Sequence, residues 1–328
     1  MPVDTNAELN QWVELLQSPA VEDRLVAVKT LQHLGDEGAT DALIMALQDE
    51  NPAVQKIAIA ALWELAHPVA VPALLNCLAA PDEEVCSQAL SALSELITPD
   101  HLPLLLDTLR QEAVNVQLQG LVLLRKIHDI QSLPAILPFF AAPQPQLREA
   151  AIATLRYLNQ VKECPAALAL IQDPEEGVRR AAALTLGHLT DATVVALLSQ
   201  ALADPDWQVR RNAAKALAIH AAPAAIPALL AALQDTQWQV RKFALQALQQ
   251  TPDLQSLAAV IQTLADASPD VRKEAAIALG ILGSADALHS LRQALDDPDR
   301  EVCIYAERAI QKIEAAERSA ESSQSLAL

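Results

Sequence analysis

The side chains in this sequence able to do chemistry are its histidines, cysteines, arginines and acids, and their spacing decides what they can do. Seven histidines (His33, His67, His101, His128, His188, His220 and His289) are scattered through 328 residues, and only His33 and His188 share a place in the repeat described below. A metal centre needs several donors converging at ligand spacing, so none is expected. Four cysteines, Cys77, Cys86, Cys164 and Cys303, include no CxxC pair. No cluster supplies the base and oxyanion donors that thiolate catalysis requires, and the cysteines read as small hydrophobes. There is no glycine-rich phosphate loop. The sequence therefore predicts no catalytic residue.

Two charged rows remain. Arg148, Arg179, Arg210, Arg241 and Arg272 lie 31 residues apart, and Asp173, Asp204, Asp235 and Asp266 stand six residues before the last four. Each carboxylate then falls in the turn ahead of a helix N-terminus, where the helix dipole favours it. Bidentate Arg–carboxylate pairing carries geometric specificity, so this row reads as a structural ladder. One residue further on comes a second row, Arg180, Arg211, Lys242 and Lys273, and three residues before the ladder arginines Trp207 and Trp238 repeat. These two are half of the four tryptophans in the chain. Cations flanked by tryptophan have the composition of a binding hot spot, so these six residues are the candidate partner-binding set. A weaker candidate is Trp63, Arg125, Arg156 and Tyr157, at adjacent columns of the same repeat.

The rows exist because the chain repeats. From Arg24 a 31-residue step reaches Gln55, Cys86, Gln117, Arg148, Arg179, Arg210, Arg241, Arg272 and Cys303 without slipping. Seven residues after each marker stands Leu, ending in Ile310; three after it stands Ala, or Gly at 120. Offsets of −1, +3 and +7 define one helix face, and an unbroken small column marks a close helix approach. A shorter helix precedes it, with Pro72, Pro103, Pro134, Pro165 and Pro227 in its first turn, where the missing N–H is no loss. Asp-Pro steps such as Asp204-Pro205 separate the two. With 7 glycines, 3% aromatic residues and 52% hydrophobic residues, the chain is all-α. It is expected to form a right-handed α-solenoid, or superhelix, of ten helical hairpins over 1–316, followed by a disordered tail at 317–328.

The net charge of −18 opposes nucleic-acid binding. Charge is also uneven: residues 1–110 hold 4 basic and 17 acidic side chains, residues 173–280 hold 9 and 11. The opening MPVDTNAELNQ lacks the basic and apolar regions of a signal peptide, and no apolar run is long enough to span a membrane. Together with the unpaired cysteines this predicts a soluble, cytoplasmic protein.

The pattern Asp-Pro-x-x-x-Val-Arg-x-x-Ala-x-x-x-Leu, at a period of 31, resembles the HEAT-like repeat of the phycobilisome-lyase class and covers nearly the whole chain. That class includes bilin lyase subunits, phycobilisome-degradation adaptors, iron–sulfur-assembly-associated proteins and deoxyhypusine hydroxylase. The hydroxylases carry His-Glu iron ligands, and no histidine here is followed by Glu. The resemblance thus implies a non-catalytic protein-binding scaffold whose longer helices line a concave face. The implied partner is a phycobiliprotein or a second HEAT-like subunit. The alternatives are an accessory bilin-lyase subunit, with phycocyanobilin propionates on Arg180, Arg211, Lys242 or Lys273, and a docking helper in iron–sulfur assembly.

Overall fold

Helix boundaries follow the punctuation in the sequence. The structure is a computed structural model and describes residues 5–158 and 160–325. The ten marker positions lie on ten helices: α1 (Val21–Leu34), α2 (Pro52–Leu65), α3 (Glu83–Leu96), α4 (Val114–Ile127), α5 (Pro145–Leu155), α6 (Glu176–Leu186), α7 (Trp207–His220), α8 (Trp238–Gln250), α9 (Pro269–Leu282) and α10 (Arg300–Ser325). Asn51 and Asp82 cap α2 and α3, and Asp206 caps α7, each side chain accepting from backbone N–H groups of the first turn. The intervening helices are short and tighten to 3-10 geometry at their ends, as in Pro68–Ala70, Val71–Asn76 and Cys77–Ala79. All five column prolines sit in the first turn of these shorter helices. Among the described residues there is no strand.

The chain read as one array gathers into two compact units, Met1–Gln160 and Val161–Leu328. Each is an α-solenoid of stacked hairpins with five of the marker helices, and within each unit every marker helix packs on the next. The periodic columns make the core. The −1 column from Val54 to Val302, the Ala column from Ala27 to Ala306 and the Leu column from Leu31 to Ile310 are all buried. Gly120 shows what the small column faces: a Cβ there would lie 2.9 Å from Leu109 Cδ2, on the shorter helix of its own hairpin.

A second small column escaped the sequence reading. Six residues after the marker stand Ala216, Ala247, Ala278 and Ala309, all buried, and this column meets the preceding marker helix. A Cβ on Gly187 would come 2.9 Å from Ala216 Cβ, and one on Gly280 would come 3.0 Å from Ala309 Cα.

Of the expected tail at 317–328, residues 326–328 lie outside the described residues. Helix α10 continues to Ser325, so the residues from 317 are helical up to that point. Losing the apolar period removes packing partners, but Ala, Glu, Gln and Arg keep their helix propensity.

Candidate functional site

The marker column has one task in all ten repeats: its side chain donates to the backbone carbonyl six residues earlier. Arg24 reaches the Ser18 carbonyl, Arg148 that of Ala142, and Arg179, Arg210, Arg241 and Arg272 those of Asp173, Asp204, Asp235 and Asp266, at 2.7–3.0 Å. Gln55 and Gln117 serve the carbonyls of Asp49 and Gln111. The thiols of Cys86 and Cys303 serve those of Ala80 and Asp297, both at 3.1 Å. These two cysteines are therefore donors at a helix end rather than small hydrophobes. The carbonyl they satisfy is one that a terminating helix leaves without an internal partner.

The arginines do more. Five of these guanidinium groups grip the carboxylate of the next repeat, 25 residues on, through two bonds: Arg24 with Asp49, Arg179 with Asp204, Arg210 with Asp235, Arg241 with Asp266 and Arg272 with Asp297. The same carboxylates accept the backbone N–H two residues on, as Asp235 does from Gln237 and Asp266 from Ser268, each at 2.8 Å. Burial raises the Asp235 and Asp266 carboxyls; the hydrogen bonds from Arg210 and Arg241, the backbone N–H bonds from Gln237 and Ser268 and the nearby arginine charges together outweigh it and hold both below the usual carboxylate range.

The adjacent row of cations is only in part a binding row. Arg180 chelates Asp206 (2.8 and 2.6 Å), Lys242 pairs with Asp270 (3.0 Å) and Lys273 with Glu301 (2.9 Å). Lys56 pairs with Glu84 in the first unit. These are contacts between successive repeats, so the row is an outer ladder beside the inner one. An acid 26 or 28 residues after each cation was its signal in the sequence. Arg211 differs. Among the described residues it has no carboxylate partner; it donates to Asn212 Oδ1 and lies 5.4 Å over the Trp207 ring.

Lys242 repeats that motif over Trp238, at 5.8 Å. Cation and ring are four residues apart on one helix in each case, the spacing that brings helical neighbours together. Trp207 is half-buried and Trp238 is 38% exposed. The two rings make no contact with each other among the described residues; each is paired with its own cation. The structure thus gathers Trp207, Arg211, Trp238 and Lys242 as two cation–ring units on consecutive helices and ties Arg180 and Lys273 into packing.

Asp206 has two duties, pairing Arg180 and capping α7 through Gln208 and Val209 N–H (3.0 Å each). The Arg180 hydrogen bond is the main cause that lowers its carboxyl to about 2. A carboxyl depressed on folding stabilises the fold above its unfolded value, and that contribution fades as pH falls from about 4 to about 2. Asp206→Asn keeps the cap and removes the charge. Urea unfolding is expected to show wild type ahead by roughly 1–2 kcal/mol at pH 7, after discounting for the part-exposed Arg180. The gap closes by about pH 2.

The weaker candidate also resolves into parts. Trp63, 41% exposed, donates from Nε1 to Glu95. It is apart from Arg125, Arg156 and Tyr157, which do come together: the two guanidinium carbons lie 6.0 and 5.4 Å from the Tyr157 ring centre.

Both units and both ladders are accounted for by repetition of one hairpin, and comparison with known proteins agrees. The family model for HEAT repeats matches residues 9–94, 40–121, 71–156, 164–242 and 226–311. The chain belongs to the HEAT-repeat family. Among solved structures, the crystal structure of an engineered protein from the Northeast Structural Genomics Consortium is similar, with 21% identity and a TM-score of 0.55 over 93% of this chain and 98% of that chain. That likeness concerns the fold alone. No curated protein matches. No helix among the described residues is long and apolar enough to cross a membrane.

Proposed function

We propose that this chain is a non-catalytic scaffold that holds a protein partner on the face of α7 and α8 carrying Trp207, Arg211, Trp238 and Lys242. The observation that carries the reading is Trp238, a large ring left 38% exposed beside a half-buried Trp207, each with a cation over it. Tryptophan and arginine are the residues most enriched among the anchors that dominate the energetics of protein interfaces. HEAT-repeat scaffolds generally mediate protein interactions, and stacked repeats offer long surfaces with few enclosed pockets. The partner class follows from the resemblance to phycobilisome-lyase-type repeats: a phycobiliprotein.

A bilin-lyase role would need cations open to propionates. Arg180, Lys242 and Lys273 are already on carboxylates, which leaves Arg211 alone for two propionates, so the scaffold reading is preferred.

The test is calorimetric titration with a purified phycobiliprotein. Trp207→Ala with Trp238→Ala is expected to weaken binding about 100-fold or more, the loss for truncating hot-spot residues, with the thermal midpoint retained. Unchanged affinity in the double variant removes these residues from the interface. No binding by wild type removes the phycobiliprotein.

A further inference from the structure

Arg125 and Arg156 occupy the same column in α4 and just past α5, one repeat apart, and both lie against the Tyr157 ring. All three side chains are half-buried. Arg125 Nε donates to Thr154 Oγ1 (3.2 Å) and Nη2 to the Ala150 carbonyl (3.3 Å), and Nη1 has no bond among the described residues. Arg156 has no hydrogen-bonding partner among the described residues, nor has the Tyr157 hydroxyl. The Tyr157 carbonyl is engaged by His128 Nδ1 at 2.9 Å. Among the described residues neither arginine pairs with a carboxylate; Glu149, whose charge Arg125 feels, bonds to neither.

Arg24, Arg179, Arg180, Arg210, Arg241 and Arg272 are different: each is met by an acid of the following repeat. Two like charges held on one ring, partly out of water and without a counter-charge, repel each other and pay desolvation. Burial lowers the Arg125 pKa, and the Arg156 charge adds to the effect. The surrounding sequence is also an island: residues 113–160 hold 4 basic and 2 acidic side chains, whereas residues 1–110 hold 4 and 17.

We propose that Arg125, Arg156 and Tyr157 form an oxyanion site on the first unit that takes a phosphate monoester. The charge fits: a monoester carries close to −2 and three acceptor oxygens, which matches two guanidinium forks and a phenol, whereas one carboxylate would leave an arginine unneutralised. The ring contributes by holding both guanidinium groups in place before the anion arrives, so less side-chain freedom is lost on binding. The site belongs to the first unit and is independent of the tryptophan face on the second.

Calorimetry of the full chain at fixed ionic strength tests it with three probes: inorganic phosphate, a phosphoserine peptide and the same peptide unphosphorylated. Saturable binding of the phosphate-bearing probes is expected. Arg156→Gln should weaken it about tenfold or more, the loss of a charge-assisted pair. Because Arg156 makes no hydrogen bond among the described residues, this variant should keep the wild-type thermal midpoint. Lys215→Gln, an exposed cation on the other unit, should bind phosphate like wild type. Tighter binding of the phosphopeptide than of inorganic phosphate assigns the ligand to a phosphorylated protein, and equal binding assigns it to a small phosphate compound; both uphold the site. The absence of saturable binding by either phosphate-bearing probe overturns it, and so does equal affinity in Arg156→Gln and wild type.

Discussion

Arg241→Ala is expected to destabilise the chain by about 3 kcal/mol in urea unfolding at pH 7, the low end of the range for removing one partner of a buried ion pair. The guanidinium makes three bonds: Nε and Nη2 to the two Asp266 oxygens at 2.6 and 2.7 Å, and Nη1 to the Asp235 carbonyl at 2.7 Å. The two side chains are 15% and 9% exposed, so water replaces little of what is lost. After substitution the Asp235 carbonyl has lost its donor and Asp266 keeps a charge in a half-desolvated turn. The sizeable loss comes from stranding that carboxylate, and a double-mutant cycle separates this from the worth of the pair. Asp266→Ala in the Arg241→Ala background should cost much less than in wild type, giving a coupling of about 2 kcal/mol. A single-variant loss under about 1 kcal/mol would mean the ladder behaves as a solvated surface pair.

The ladder also shows where sequence reading stops. The arginines and aspartates were both visible as columns, and a structural role followed from their regularity. Which aspartate each arginine grips was not visible, because offsets of −6 and +25 describe the same column when the period is 31. The structure uses both: the main chain of the earlier aspartate and the side chain of the later one. Gln55, Gln117, Cys86 and Cys303 looked like breaks in the column. They are substitutes for one of its two jobs, donation to the carbonyl at −6.

The candidate binding row was legible as composition and misleading as geometry. Arg180, Lys242 and Lys273 looked like free cations since their acids lie in the following repeat, outside the helix on which the row was found. Trp207 and Trp238 were correctly placed on consecutive helices. Their individual pairing with Arg211 and Lys242 follows from the i, i+4 spacing within each helix, a local signal that the search for columns passed over. Arg125, Arg156 and Tyr157 were noticed only as neighbours in the repeat. Their lack of acids is a negative feature, and it becomes informative only beside the six marker-helix arginines that an acid of the following repeat meets.

The helix–helix contact was half-read, and Gly280→Leu measures the missing half with an expected loss of about 3 kcal/mol. The sequence revealed the Ala column that faces the hairpin's own short helix, because it is unbroken. The contact between successive marker helices uses two columns, +8 and +6, and the first of these holds Gln, Trp, Ser, Arg, Gly and Ala in different repeats. Such a mixed column carries no periodic signal. In the second unit Gly280 is buried in α9, and a Cβ there would lie 3.0 Å from both Cα and Cβ of Ala309 in α10. Backbone cannot rotate aside as a flexible side-chain end can, so a leucine must push α10 away or leave its rotamer. Gly280→Ala sets the scale. It gains about 1 kcal/mol of helix propensity and meets the same contact with one carbon, so the two effects nearly cancel. Thermal unfolding of the two variants should separate a near-neutral alanine from a strongly destabilised leucine. Equal midpoints for leucine and wild type would show that α9 and α10 are not held at this spacing.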